Sequence, residues 1–384
     1  MSEWKEYKLN DVTEPVKETY LPTGSDNLFY IGLEHIEQES LRLISTGKST
    51  DVSSNKFRFK ENDILFGKLR PYFRKVVKPQ FDGICSTDIW VFRTKEGFNQ
   101  DFLFYFLANW DFVNLANSGE GGTRMPRANW DFLKTTEWVL PPLPEQKSIA
   151  HILSSLDDKI DLLHRQNVTL EKMAEVLFRQ WFVEETKEEW EEIELGEVIE
   201  TTSGGTPSRA NMKFYEEGKI YWVKSKELNG TFLLDTEEMI TDDALRLSSA
   251  KLLPTNSILI AMYGATVGEY AIISKPMACN QAICALKPNE DYPYTYLLLL
   301  IKTNKEELVN MAVGSAQQNI SQQLIKKIPV LNCVKKIKQF HLTTSPYFQK
   351  IKTNQSKIRN LTKLRDTLLP KLMSGEVAIL TGSK

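Results

Sequence analysis

A basic cluster at residues 56–78 is the part of the chain best suited to binding an anionic ligand. Eight Lys and Arg stand there against two acidic residues, a local charge of +6. Such side chains can neutralise phosphates, and an arginine can donate two hydrogen bonds to a guanine base. A merely solvated surface is an equally good interpretation of a charge run. The candidate phosphate- or base-binding residues here are Lys56, Arg58, Lys68, Arg70, Tyr72, Arg74 and Lys75.

Three smaller groups of polar residues could serve the same chemistry. Arg124 and Arg127 follow a glycine-containing loop at residues 119–122. A glycine and hydroxyl loop could grip a phosphate oxygen, although a plain turn is the commoner meaning of such residues. Further donors could bind adenine or phosphate, although amides at loop tips are more often only solvated. The loop contributes Ser203, Gly204, Gly205, Thr206, Ser208 and Arg209. The further donors are Lys224, Lys226, Gln317, Gln318 and Asn319.

The motifs of several enzyme classes are missing. Gly47-Lys48-Ser49-Thr50 has the end of a phosphate-binding P-loop, but Arg42 occupies the position of its first glycine. The four cysteines form no C-x-x-C pair, and the four histidines are scattered, so buried reduced thiols are expected instead of a zinc site. We therefore predict no catalytic residue, no metal site and no cofactor bound by this chain.

The elements that must position these residues come in two copies. The pattern W-x-x-(Y/I)-x-L-x-(D/E)-V occurs at residues 4–12 and again at residues 190–198. Residues 62–65 (NDIL) match residues 256–259 (NSIL), and a cysteine follows each asparagine by 23 residues. Strand-like runs (64–66, 89–92, 258–262, 270–273) and helix-like runs (101–107, 294–300) within the copies predict a mixed α/β domain with a largely antiparallel sheet.

A long helix is predicted after each copy. Residues 145–195 contain neither Gly nor Pro, and apolar residues recur there on heptads, as in a coiled coil. The second helix has a matching seam, with Pro346 expected to kink it or mark its start, and Pro370 with Ser374-Gly375 expected to end it. Two matching helices favour pairing with each other. The predicted pairing residues are Leu153, Leu156, Ile160, Leu163, Leu170, Leu177, Ile351, Ile358, Leu361 and Leu368.

The fold class that follows is α/β (α+β), with two tandem mixed domains and two long antiparallel helices forming an intramolecular coiled coil, in a pseudo-twofold repeat. The predicted boundaries are 1–143 for the first domain, 144–182 for the central helix, 183–333 for the second domain and 334–384 for the distal helix and tail.

The net charge of −2 taken alone argues against a nucleic-acid partner. Its distribution does not, because residues 183–200 carry −8 and residues 334–373 carry +9. The first residues show no signal peptide and no apolar run reaches the roughly 20 residues of a membrane span, so a cytoplasmic location is expected.

With these motifs the chain resembles the DNA-specificity subunits of Type I restriction–modification enzymes over essentially its whole length. The resemblance rests on PPLPEQ at residues 141–146, LLPKLMSGEV at 368–377, D-I-L-x-x-K-L-R-P-Y at 63–72 and SGGTPS at 203–208. It implies two target-recognition domains that each bind one half of a bipartite, asymmetric site on double-stranded DNA.

The resemblance also implies partners. Two methyltransferase (modification) subunits would dock on the paired helices, restriction/translocase subunits would join them, and S-adenosylmethionine and ATP/Mg would be bound by those partners. Two alternatives remain: a coiled-coil scaffold or adaptor without a DNA role, and the specificity subunit of a related combined restriction–methylation system.

Overall fold

The structure is a computed structural model that describes residues 4–23, 25–118, 125–312 and 319–378. It divides into two compact units, the first formed by residues 1–161 with 359–384 and the second by residues 162–358. Each of the two long helices contributes one part to each unit. The predicted fold class, with an internal repeat of a mixed α/β domain, is confirmed.

The described residues of the first unit form three sheets. Their strand orders are β1-β11, β2-β10-β7-β8 and β3-β6-β9-β4-β5, and all neighbours are antiparallel except β4 and β9. The strands are β1 Lys5–Lys8, β2 Thr13–Val16, β3 Thr19–Tyr20, β4 Phe29–Ile31, β5 Gly47–Lys48, β6 Lys56–Phe59, β7 Ile64–Gly67, β8 Val76–Val77, β9 Gly83–Cys85, β10 Ile89–Thr94 and β11 Glu137–Leu140. The helices are α1 Leu9–Val12, α2 Gln100–Ala108, α3 Trp110–Ser118, α4 Trp130–Leu133 and the start of α5 Leu143–Arg179.

The described residues of the second unit also form three sheets, although the number of strands in them differs. Its sheets are β12-β21, β13-β20-β17-β18-β15 and β16-β14-β19, with parallel pairs only at β14/β19 and β15/β18 among the described strands. The strands are β12 Glu192–Glu194, β13 Glu200–Ser203, β14 Ile220–Val223, β15 Phe232–Leu233, β16 Glu238–Ile240, β17 Ile258–Ala261, β18 Tyr270–Ile273, β19 Ala278–Cys279, β20 Ile283–Lys287 and β21 Pro329–Leu331. The helices are α6 Leu195–Val198, α7 Asp242–Arg246, α8 Tyr294–Thr303, α9 Lys305–Ala312, α10 Gln322–Lys326 and α11 Val334–Met373.

The predicted heptad helices are α5, of 37 residues, and α11, of 40 residues. The second helix starts at Val334, so the prediction that Pro346 marks its start is wrong, and it ends just before Ser374-Gly375 as predicted, with Pro370 inside its last turn. A proline removes one backbone hydrogen bond, and buried neighbours such as Phe340, Thr344 and Phe348 hold the helix on its core regardless. Gly375, with a φ of 73°, follows the helix end.

Within each unit the two helices run antiparallel. In the first unit, Ile149 and Leu153 of α5 share a core with Leu369 and Leu372 of α11. In the second unit, Asn354 Nδ2 donates to Asn167 Oδ1 at 2.9 Å, and the rings of Trp181 and Phe340 lie 5.9 Å apart. Of the predicted pairing residues, Leu153, Ile160, Leu163 and Ile351 are buried; the others, Leu156, Leu170, Leu177, Ile358, Leu361 and Leu368, are half-buried.

The proline-rich entry to α5 has a structural role. The Gln146 side chain is buried, accepts a hydrogen bond from the Asn99 backbone N–H at 2.9 Å and donates to the Pro141 carbonyl at 2.9 Å. It therefore fixes the first turn of α5 to the start of α2. The four cysteines are buried free thiols, as predicted.

Candidate nucleic-acid interface

In the first unit, a turn between β7 and β8 carries the centre of the predicted basic cluster. Residues 68–75 join these antiparallel strands, and Pro71–Phe73 forms a short 3-10 helix within them. Leu69 forms a β-bridge with Arg127, the Ala128 N–H donates to the Lys68 carbonyl at 2.8 Å, and the Arg70 N–H donates to the Pro126 carbonyl at 2.8 Å. The fold thus joins two basic segments that lie far apart in the sequence.

The second unit builds the same turn between β17 and β18. Residues 262–269 include the 3-10 helix Gly264–Thr266, and Tyr263 forms a β-bridge with Asn319. The Ile320 N–H donates to the Met262 carbonyl at 2.9 Å, which repeats the bond between Ala128 and Lys68. These positions correspond at offsets of 192–194 residues, so Asn319 is the counterpart of Arg127.

The backbone of the two turns is alike, although their side chains differ. Arg70 and Arg74 have φ values of 52° and 48°, and their counterparts Gly264 and Gly268 have φ values of 71° and 79°. Glycine takes this left-handed conformation without strain, whereas other residues pay roughly 1–2 kcal/mol for it. The first copy therefore places arginines where the turn favours glycine.

Several side chains of the first turn face outward or stack on one another. The Arg70 guanidinium lies 6.0 Å from the Phe73 ring centroid, and the Phe73 ring lies 4.5 Å from that of Tyr72, which is 39% exposed. Arg127 is exposed and its Nη1 lies 2.8 Å from Asp88 Oδ1. Burial lowers the pKa of the nearby Lys68, which Asp88 opposes.

Other members of the cluster have partners inside the unit. Arg74 is 2% exposed, and its Nε donates to the Ala108 carbonyl at 2.6 Å while its Nη1 lies 3.3 Å from Asp366 of α11. Lys56 is buried, with its Nζ 2.7 Å from Ser54 Oγ, and burial lowers its pKa.

Lys75 and Arg58 complete the cluster. Lys75 donates to the Leu33 carbonyl, and burial lowers its pKa. Arg58 is exposed, with its guanidinium 4.2 Å from the Tyr20 ring. The burial of Arg74 and Lys56 argues against their predicted ligand contacts, because both side chains already have hydrogen-bond partners within the unit.

The glycine and hydroxyl loop of the second unit is a packed turn. The Gly205 N–H donates to the Cys279 carbonyl at 2.9 Å and the Gly204 N–H to the Ile283 carbonyl at 3.3 Å, so neither amide is free for a phosphate. A Cβ on Gly204 would lie 2.1 Å from the Cys279 carbonyl oxygen. The close approach of two backbones therefore explains this glycine, and it argues against the predicted phosphate grip.

The other predicted residues near this loop are also engaged. Thr206 Oγ1 donates to Gln281, and Arg209 Nη1 lies 2.7 Å from Glu238 Oε2, above the rings of Tyr215 and Trp222. Ser203 is half-buried, and Ser208 is exposed.

Lys224 and Lys226 lie beside two glutamates. Lys224 Nζ is 2.7 Å from Glu237 and 3.0 Å from Glu238, and Lys226 Nζ is 2.7 Å from Glu237. Hydrogen bonds from both lysines lower the pKa of Glu237 to about 2. Partial burial lowers the pKa of Lys224, but its hydrogen bonds to the two glutamates outweigh burial and raise it. The local charge is therefore close to balanced.

Three predicted residues, Arg124, Gln317 and Gln318, lie outside the described residues. Sequence reasoning missed Tyr263, which is 41% exposed in the second turn. Extending the match of residues 62–65 with residues 256–259 by four positions would have found it, because residue 263 then aligns with residue 69.

Within the described ranges, no group of three or more His, Cys, Asp or Glu side chains is arranged to hold a metal ion. Nor does any described helix combine the length and the apolar character needed to cross a membrane.

The chain consists of two repeated α/β units, each with a turn of the same backbone, and the two long helices pair within each unit. This architecture agrees with one protein family. The family described as Type I restriction modification DNA specificity domain matches residues 1–172 and again residues 187–361. The chain therefore belongs to this family, and the predicted resemblance is confirmed.

Individual relatives agree with this assignment. The HindI specificity subunit of Haemophilus influenzae is 24% identical, over 98% of this chain and all of the relative. The MjaIX specificity subunit of Methanocaldococcus jannaschii is 28% identical, over 74% of this chain and 71% of the relative. In fold, the chain is similar to the S subunit of a Type I restriction-modification system from M. genitalium, with a TM-score of 0.62, 17% identity and coverage of 97% and 96% of the two chains.

Proposed function

We propose that this chain is the non-catalytic, sequence-specific DNA-recognition subunit of a Type I restriction–modification complex. Each unit binds one half of a bipartite, asymmetric site, and the paired helices set the distance between the halves. The repeated turn, residues 68–75 in one unit and 262–269 in the other, is the observation that carries this proposal. At matching positions, the same backbone presents Leu69, Arg70 and Arg127 in the first copy but Tyr263, Gly264 and Asn319 in the second. Different side chains at one position suit different bases.

The helices support a role in assembly. In the second unit, α5 exposes Val168, Met173 and Val176, which are 51%, 44% and 54% exposed, and α11 exposes Leu342, which is 74% exposed. Exposed apolar side chains can contact partner proteins when they lie together on a surface. We assign these surfaces to two methyltransferase subunits, with restriction/translocase subunits joining the complex in the cytoplasm. S-adenosylmethionine and ATP/Mg would then be bound by those partners.

An exchange of the second domain tests modular recognition. Residues 183–333 would be replaced by the equivalent domain of a relative with a known target, and the chain would be co-expressed with the modification subunits of its own system. Methylated adenines mapped across the host genome should show a target in which one half has changed and the other is retained, because each half is bound by separate residues.

The wild-type chain and an empty vector are the controls for that map. A change in both halves would contradict modular recognition. The scaffold alternative predicts no motif with any of these chains, and methylation by the purified chain without partners would instead support an enzyme. These outcomes separate a recognition subunit from a scaffold protein and from a stand-alone enzyme.

A further inference from the structure

Arg70 is held in a strained conformation that the fold does not require of an arginine. Its φ is 52° and its ψ is 64°, and the corresponding residue of the second copy is Gly264. A non-glycine residue kept in the left-handed region often marks a site where the side chain serves a function. The arginine therefore calls for an explanation outside the folding of the turn.

The Arg70 side chain also carries a hydrogen-bond donor that the described residues leave unpaired. Its Nε is buried and donates no hydrogen bond within the described residues. A buried donor without a partner is costly, and each such group in a native structure asks for an explanation. Arg74, only four residues away, has both a carbonyl and a carboxylate partner.

The surroundings of Arg70 favour a base over a phosphate as its ligand. Phe73 lies beneath the guanidinium, and the Arg70 backbone is fixed by its hydrogen bond to Pro126. A guanidinium can also hold a phosphate, although a flexible cation such as an exposed lysine is sufficient for that contact. A planar guanidinium on a fixed turn matches the paired O6 and N7 acceptors of guanine.

We infer that Arg70 is a specificity-determining residue that binds a guanine in the half-site of the first unit. The inference rests on the proposed function, since it assigns one base contact within it. Gly264 has no side chain to make this contact, so the second unit does not share it. The second half-site is then read by other residues.

Selection from a pool of random-sequence DNA duplexes tests this contact. The probe pool is offered to the wild-type chain assembled with the modification subunits of its own system, and the bound duplexes are sequenced. The exchange of residues 183–333 identifies which half belongs to the first unit. Arg70→Gly should lose a guanine preference at one position of that half by about 5- to 100-fold, with the other positions unchanged. Arg70→Gln should shift the preference toward adenine, which glutamine pairs with.

Controls separate the side chain from the backbone. Glu217 is an exposed residue with a φ of 56°, so Glu217→Gly relieves similar strain and should leave the motif unchanged. Arg70→Gly should unfold at the same temperature as the wild type or higher; if it fails to fold, Arg70→Gln carries the test.

The outcomes distinguish the contact from the function. An unchanged motif with both Arg70 variants would overturn the guanine contact and leave the proposed function standing. Equal weakening on all sequences would overturn it in favour of a phosphate contact. A wild-type complex that selects no bipartite motif would overturn the proposed function together with the contact.

Discussion

Ion pairs between single residues of the second unit already neutralise some of the lysines that were predicted to bind DNA. Glu237 receives hydrogen bonds from both Lys224 and Lys226, and its pKa falls from 4.5 to about 2. A carboxyl whose pKa is lower in the folded state stabilises the fold above its unfolded pKa, and this contribution is lost as the pH falls through the folded pKa. The pair therefore stabilises the fold at neutral pH.

Glu237→Gln should lower the thermal unfolding midpoint at pH 7, and the difference from wild type should shrink between pH 4.5 and pH 2. The reason is that protonation removes the same charge from the wild type in that range. Unfolding followed by circular dichroism across this pH range measures it. Glu217→Gln, at an exposed residue of the same unit, should show no such trend; a constant deficit at every pH would contradict the ion-pair account.

The residues that sequence reasoning placed correctly are those set by local pattern. The heptads of α5 and the repeat at residues 62–65 and 256–259 depend only on neighbours in the chain. Arg74 was assigned to a ligand because its partner Asp366 lies 292 residues away and only the folded chain brings them together. The same limit applies to Gly204, whose glycine is explained by Cys279 on another strand.

At the scale of elements, a buried charge network fastens the helices to the first unit. Arg365 of α11 is 1% exposed, and its Nη1 lies 2.7 Å from Asp157 of α5 and 3.1 Å from the Ser40 carbonyl oxygen. Tyr105 of α2 donates to the same Asp157 carboxylate at 2.8 Å. Burial raises the pKa of Asp157, and Arg365 opposes this, so the carboxylate depends on its partner.

Arg365→Met should destabilise the chain by about 3–5 kcal/mol, because it removes a buried cation and leaves the half-buried Asp157 carboxylate without it. Urea unfolding at pH 7 measures the change. Lys363→Met, at an exposed position of the same helix, is the matched control and should alter stability by less than about 0.5 kcal/mol. Adding Asp157→Asn to Arg365→Met should recover part of the loss, and no recovery would show that packing alone is responsible.

At the scale of the whole molecule, duplication explains how one chain can bind an asymmetric site. Both copies keep the turn backbone, share positive φ values at Asn62 (66°) and Asn256 (68°) ahead of the turn, and differ at the exposed side chains. The fold can therefore stay constant while each half-site changes separately. The distance between the two half-sites must be set by another part of the chain, and we assign it to α5 and α11.

Lengthening both helices together tests that assignment. Four residues inserted after Asp161 and four after Ile358 add one helical turn at the points where the two units meet along the chain. At about 1.5 Å per residue the added turn is roughly 6 Å, which corresponds to one or two base pairs at about 3.4 Å each. Because the pairs Asp157–Arg365 and Asn167–Asn354 lie on opposite sides of the insertions, each keeps its partner.

Methylation mapping should give unchanged half-sites separated by a spacer one or two base pairs longer. The same four residues inserted after Glu96, in an exposed turn, should leave the spacer as it is. An insertion into α5 alone should cost stability, since it shifts the helices out of register. If the doubly lengthened chain methylates sites with the original spacer, the helices do not set the spacing and the ruler role fails.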